Sequence, residues 1–177
     1  MEILLTIHIG VVVATFLFNT GRIIKAVDIF NECLVLLNGK ALETIKKLTR
    51  TVIYVYNKLL DGYTVMYDHN RAIEYGKKLH VILHNSGLKE EEGTILLKLA
   101  NIYYQRGKSE ETKQFYEEAL SIMIETGNNY GLQICYRKLG TVFAFVGHYT
   151  KAKEYLQKAL VISKEIGDKH GQAADYA

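Results

Sequence analysis

The sequence predicts an all-α protein, a solenoid of stacked helix–turn–helix repeats, and three observations carry that expectation. The first is self-similarity. Leu139, Gly140, Phe143, Gly147, Ala152, Tyr155, Ala159, Leu160 and Gly167 fall on Leu99, Ala100, Tyr103, Gly107, Thr112, Phe115, Ala119, Leu120 and Gly127 when 40 is subtracted from each number. A second subtraction reaches Leu59, Leu60, Tyr63, Tyr67, Ala72, Tyr75, Leu79, His80 and Gly87. A fixed period in this range marks a repeat architecture, in which each repeat buries its apolar face only against its neighbours. The second observation is helical spacing on both sides of the turn: Tyr136, Leu139 and Phe143 lie at i, i+3, i+7, and so do Ala152, Tyr155 and Ala159. The third is glycine at the ends of the periodic runs. Gly147 and Gly167 stand where a left-handed C-terminal cap is needed.

Taken in order, the first repeat spans about residues 3–38. Ile3 to Phe18 is almost wholly apolar, but the run is about 16 residues long, contains His8 and Gly10, and follows Glu2. A spanning helix needs roughly 20 apolar residues, and a signal peptide begins with positive charge. In repeat register, Val13, Ala14, Leu17, Gly21, Ala26, Ile29, Cys33 and Leu34 occupy the positions of Leu139 to Leu160. The run therefore reads as the first helix of a degenerate repeat. Having no polar face, it is expected to be buried, covered by an upstream segment or by the long helix that follows.

The second repeat spans about residues 41–86. Ala26 to Ala72 is a step of 46, so six additional residues lie between Leu34 and Tyr67. Asn38-Gly39 ends one helix, and the insertion is expected to lengthen the next, from about Ala41 to Met66. The following helix, Asn70 to His84, places His80 and His84 at i, i+4, a spacing that metal ligands can use. No acidic or thiol ligand is evident beside them, and they read as a solvated or packed pair.

Asn85-Ser86-Gly87 stops that helix, and Lys89-Glu90-Glu91-Glu92 starts the third repeat (89–127) with acidic residues favourable in a first turn. The fourth repeat follows over 129–167 without a linker. Residues 168–177 repeat the start of the fourth and read as the beginning of a fifth, so the sequence is expected to be a piece of a longer array, 1–177 forming a single array. Within the fourth repeat, Gly140 costs about 1 kcal/mol relative to Ala in a helix interior. Paired with Ala152, it offers small surfaces for a close helix crossing.

The series Leu139-Gly140-x-x-Phe143, Gly147, Tyr149, Ala152, Tyr155, Ala159-Leu160 resembles the tetratricopeptide repeat (TPR) superfamily. The period of 40 and the lack of proline are similar to the longer repeats of Leu-Gly-Asn spindle-orientation proteins, kinesin light chain and large animal multi-TPR proteins. The resemblance implies a right-handed solenoid whose first helices line a concave peptide-binding groove. It also implies a protein-interaction scaffold, with a cytoskeletal or cell-division role; the alternative is a sensor arm of a larger signalling NTPase.

Composition supports a scaffold. The net charge of +3 is too small to argue for nucleic acid or an anionic membrane. Cys33 occupies the small position of Ala119 and Ala159, so it and Cys135 read as buried thiols of a reducing, cytoplasmic compartment. The sequence has no phosphate-binding glycine loop, nucleophile elbow or Cys/His cluster, so neither enzyme activity nor a cofactor or metal is expected. Tyr103, Phe115, Phe143 and Tyr155 stand at packing positions and are not read as an RNA-stacking surface.

The resemblance places candidate groove residues at Asn57, Lys58, Asp61, Leu97, Lys98, Asn101, Tyr104, Arg137, Lys138, Thr141 and Phe145. The family's carboxylate clamp needs Lys two before the register Leu and Asn two after it. Here only Asn101 and Arg137 match, in different repeats. Lys58, Lys98 and Lys138 recur at intervals of 40, a ladder of cations suited to an acidic peptide with apolar anchors.

Overall fold

The computed structural model describes residues 2–38, 48–168 and 171. Among the described residues there are eight α-helices and no strand. They are α1 (Glu2–Asn19), α2 (Ile23–Asn38), α3 (Thr49–Val65), α4 (His69–Asn85), α5 (Lys89–Gln105), α6 (Ser109–Thr126), α7 (Asn129–Phe145) and α8 (Tyr149–Glu165). The chain divides into two compact units, Met1–Ile82 and Leu83–Ala177.

One turn geometry recurs at the described helix ends. Gly21, Gly87, Gly107, Gly127, Gly147 and Gly167 all have φ between 66° and 82°. At α7, for example, Gly147 N–H donates to the Ala144 carbonyl (3.0 Å) and His148 N–H to that of Phe143 (2.8 Å). This paired pattern satisfies carbonyls that a helix end otherwise leaves orphaned. His148 then accepts from the Ala152 N–H (3.0 Å) and so already opens the next helix. A single residue closes one helix and starts another, which keeps the connections short. Tyr67 holds the same position between α3 and α4 with φ 58°, in a region that L side chains enter only at a cost.

The hairpin within each later repeat is held by a near-parallel, offset-stacked ring pair at identical register. Tyr63 stacks on Tyr75 (5.5 Å, 2°), Tyr103 on Phe115 (5.2 Å, 13°) and Phe143 on Tyr155 (5.3 Å, 7°). Such pairs add about 1 kcal/mol to area burial. The first repeat carries Leu17 and Ile29 at these positions. The packing role read from the sequence for Tyr103, Phe115, Phe143 and Tyr155 is thus what the fold shows.

In the N-terminal unit, α1 packs on α2 and α2 on α3. Asn31 on α2 ties α3 to α4: its Nδ2 donates to the Tyr63 hydroxyl and its Oδ1 accepts from that of Tyr75, both at 2.9 Å. Burial, together with the Tyr63 oxygen nearby, raises the pKa of Tyr75. In the C-terminal unit, α5 pairs with α6, α6 with α7 and α7 with α8. Its core joins Leu96 and Ala100 of α5, Tyr116, Ala119 and Met123 of α6, and Cys135, Leu139 and Val142 of α7. A Cβ on Gly140 would stand 2.7 Å from Leu156 Cγ and 3.2 Å from the Ala152 carbonyl oxygen, so the glycine does mark a close crossing.

Two expectations are corrected. The second repeat's first helix begins at Thr49, with Leu48 as its cap, and not near Ala41; residues 41–47 of that expectation lie outside the described residues. The apolar first helix is not buried all round. Ile7 and Ala14 are buried, whereas Leu5, Ile9, Val12, Val13 and Phe16 are exposed. Among the described residues α3 meets α1 along one edge, where the Thr15 hydroxyl and Tyr54 hydroxyl lie 2.8 Å apart and Lys58 Nζ sits 4.6 Å from the Phe18 ring. The expected start of a fifth repeat, 168–177, falls mostly outside the described residues.

Candidate functional site

The C-terminal unit offers the best-formed surface among the expected groove positions. On α5, Leu97, Asn101 and Tyr104 follow one another at i, i+4, i+7; on α7, Arg137, Thr141 and Phe145 follow at i, i+4, i+8. These spacings keep each set on one helical face. At the C-terminal ends of the two helices, Tyr104 and Phe145 line a cleft of about 300 Å³ together with Gln105, Lys108, Ser109, Thr112 and Val142. Both rings are exposed, Phe145 at 76%. Gly107, also in the lining, supplies the tight turn that lets the cleft floor pass from α5 to α6.

The remaining expected residues divide by what they touch. Leu97 packs into the core cluster and presents little surface. Asn101 Oδ1 accepts from the Tyr116 hydroxyl (2.7 Å), so its carbonyl end braces α6 against α5. Thr141 donates to the Arg137 carbonyl at 3.1 Å, a bond within its own helix. The Arg137 guanidinium reaches toward the chain at Gly171, where a Cβ would meet its Nη2 at 2.9 Å. Lys98 and Lys138 are half-buried on α5 and α7, one residue beyond the face of Leu97 and Arg137. In the N-terminal unit Asn57 and Asp61 are half-buried on α3, and Lys58 spends its charge on the faces of Phe18 and Tyr54, at 4.6 and 5.6 Å.

Sequence reasoning did not mark the lining residues Gln105, Lys108, Ser109, Thr112 and Val142. The signal for the first three was their place in the Gly107 turn, which the 40-residue register marks as the turn inside the third hairpin.

His84 Nδ1 lies 3.0 Å from the Glu92 carboxylate, which is buried, so an acidic neighbour does stand beside one of the paired histidines. Among the described residues no group of three or more His, Cys, Asp or Glu side chains is arranged to hold a metal. Cys33 and Cys135 are both buried free thiols; desolvation raises the first and pushes the second up to about 12, which suppresses thiolate chemistry. No described helix is long and apolar enough to cross a membrane.

Residues 91–174 match the tetratricopeptide repeat family. No curated protein matches at a significant level. Among solved structures, aspartyl phosphate phosphatase F from Bacillus subtilis superimposes with a TM-score of 0.82 at 12% identity, over 96% of this chain and 43% of that one. A Signal Transduction ATPase with Numerous Domains protein with a tetratricopeptide repeat sensor, from Pyrococcus horikoshii, gives 0.81 at 20% identity, over 96% of this chain and 25% of that one. The Rap conjugation gene regulator of plasmid pLS20, in complex with the Phr* peptide, gives 0.67 at 15% identity, over 99% of this chain and 52% of that one. The chain thus spans about half or less of each of these structures, and at these identities the likeness is one of fold.

Proposed function

With residues 91–174 belonging to the tetratricopeptide repeats, we propose that the protein is a non-enzymatic interaction scaffold that holds an extended or helical peptide against its first helices. The observation that carries this reading is the cleft between Tyr104 and Phe145. Two exposed rings beside a recess of about 300 Å³ can desolvate apolar anchors of a ligand. Lys98 and Lys138 lie on the same two helices and give the ligand a preferred sign, so the peptide is acidic as well as anchored by apolar side chains. The Rap regulator solved with a peptide supports a peptide partner as a use of this fold.

Binding of a panel of fluorescein-labelled acidic peptides with spaced Leu or Phe residues tests the reading. Tyr104→Ala/Phe145→Ala should weaken the best binder at least tenfold with an unchanged circular dichroism spectrum. Equal affinity for the variant, or a preference for matched basic peptides, would overturn it.

A second reading, that the chain is the sensor arm of a larger signalling NTPase, is favoured by the likeness to the ATPase with a tetratricopeptide repeat sensor. A nucleotide-binding domain in the same polypeptide would support it.

A further inference from the structure

A cavity of about 410 Å³ lies in the seam between α1 and α3, inside the N-terminal unit, and none of its lining residues belongs to the peptide cleft. α1 contributes His8, Val11, Val12 and Thr15, which fall at i, i+3, i+4 and i+7 and so share one helical face. α3 contributes Arg50, Thr51 and Tyr54 from its first two turns. The volume is within the range of roughly 300–1,000 Å³ that small-molecule sites occupy, with mostly apolar walls and a few polar groups to fix orientation.

The two ends of the cavity differ in chemistry. At one end the Thr15 hydroxyl donates to the Val11 carbonyl (2.6 Å) and therefore accepts from the Tyr54 hydroxyl (2.8 Å). Both hydroxyl protons are spent inside the protein, so this end offers a ligand no donor. The Tyr54 ring is held by the edge of Phe30 at 6.3 Å and by Lys58 Nζ at 5.6 Å, which makes it a fixed wall. Val11 and Val12 extend that wall, and Val12 is 58% exposed, leaving apolar surface for a ligand body to cover. At the other end stand Arg50, one turn before Tyr54 on α3, and His8, two turns before Thr15 on α1. The guanidinium carries paired donors that match a carboxylate, and either tautomer of His8 adds one ring N–H. No acidic side chain lines the cavity.

This polarity selects among ligands. An inorganic anion would meet Arg50 and leave the wall bare, and a neutral apolar molecule would gain nothing from the guanidinium. An ammonium head would be repelled. We propose that the seam between α1 and α3 binds a small amphiphilic carboxylate, an alkyl or aryl body lying on Val11, Val12 and Tyr54 with its one carboxylate at Arg50. His8 and Thr15 are seven residues apart, about 10 Å along the helix, the length of a medium-chain alkyl group. The site shares no residue with the Tyr104–Phe145 cleft and does not depend on the peptide reading.

The probe is dansylaminoundecanoic acid, titrated into the full chain and read by its rise in emission, with its methyl ester as the neutral counterpart. The acid should bind at one site and be displaced by decanoate, and not by acetate or inorganic phosphate. Arg50→Gln should weaken the acid at least tenfold and leave the ester within twofold, a split that misfolding does not produce. Val12→Asp should weaken both, and Tyr104→Ala/Phe145→Ala should weaken neither. No saturable binding, equal losses of acid and ester in Arg50→Gln, or displacement by phosphate would overturn the proposal. Loss of the acid in Tyr104→Ala/Phe145→Ala would overturn it in favour of the cleft. Displacement by an acidic peptide at lower concentration than decanoate would do so in favour of a partner's side chain.

Discussion

The first hairpin (α1–α2) and the last (α7–α8) share one register and differ in what holds them and what they show to solvent. In α7–α8, Phe143 stacks on Tyr155 and Gly140 admits a close approach to Ala152 and Leu156, while the stripe of Cys135 and Leu139 is sealed by α6. In α1–α2, aliphatic Leu17 and Ile29 replace the rings, Ala14 replaces the glycine, and the matching stripe of α1 is open. A repeat position thus specifies a direction in space, and the neighbouring helix decides whether that direction is core or surface. This follows from stacking repeats that cannot bury their apolar faces alone.

Substitutions at equivalent positions sharpen the contrast. The largest effect is expected at the α7–α8 crossing. Gly140→Leu must push Leu156 aside and crowd the Ala152 carbonyl, and should cost about 3 kcal/mol, read as a lowered urea midpoint. An unchanged midpoint would mean that the crossing has slack the packing does not show.

Next comes a matched pair on the equivalent stripes. Val142→Ser removes a buried aliphatic group and buries a hydroxyl, for a loss of about 2 kcal/mol. Phe16→Ser changes an exposed ring in the same register and should stay within about 0.5 kcal/mol. Equal losses in chemical denaturation would show that the α1 stripe is covered in solution.

Two smaller effects test the polar and backbone details. Tyr75→Phe deletes the hydroxyl that donates to Asn31 and should cost about 1 kcal/mol. Tyr67→Gly works in the opposite sense. Six glycines hold the left-handed turn position while Tyr67 holds it with a β-carbon, so relief of that conformation should stabilise the protein by about 1 kcal/mol despite the greater freedom glycine gives the unfolded chain. A lowered melting temperature for Tyr67→Gly would show that the ring, set edge-on to His69, contributes more than its exposure suggests.

What was legible in the sequence was what repeats. Subtraction of 40, and of 46 at the first repeat, placed the stacked rings, the turn glycines, the Gly140 crossing and the buried small positions that include Cys33, because each recurs under the same local constraint. The unrepeated polar contacts were not legible. Asn31 bridging Tyr63 and Tyr75, Glu92 beside His84, and Gln133 donating to Ser163 and Asp168 join residues 8 to 44 positions apart, with no period to announce them. The start of α3 was misplaced because the insertion before it breaks the register. At the proposed groove, the register gave the helical face but not exposure: Leu97 packs in the core and Asn101 bonds Tyr116, whereas the rings of Tyr104 and Phe145 are exposed.

The structure separates the lysines that make a fair control for Lys98 and Lys138 from those that do not. Lys113 lies 5.9 Å from the Phe143 ring and Lys158 5.6 Å from that of Tyr136, so replacing either alters packing as well as charge. Lys25 and Lys153 are exposed on second helices and serve better.

The most direct test of the scaffold reading is therefore the affinity of one acidic, apolar-anchored peptide for Lys98→Glu/Lys138→Glu and for Lys25→Glu/Lys153→Glu, measured at matched ionic strength. The two variants carry the same net charge and differ in where it sits. Binding at the first helices predicts at least a tenfold loss and a flatter salt dependence for the first variant, with little change for the second. Equal losses from both would show that only overall charge matters and would contradict a groove on α5 and α7.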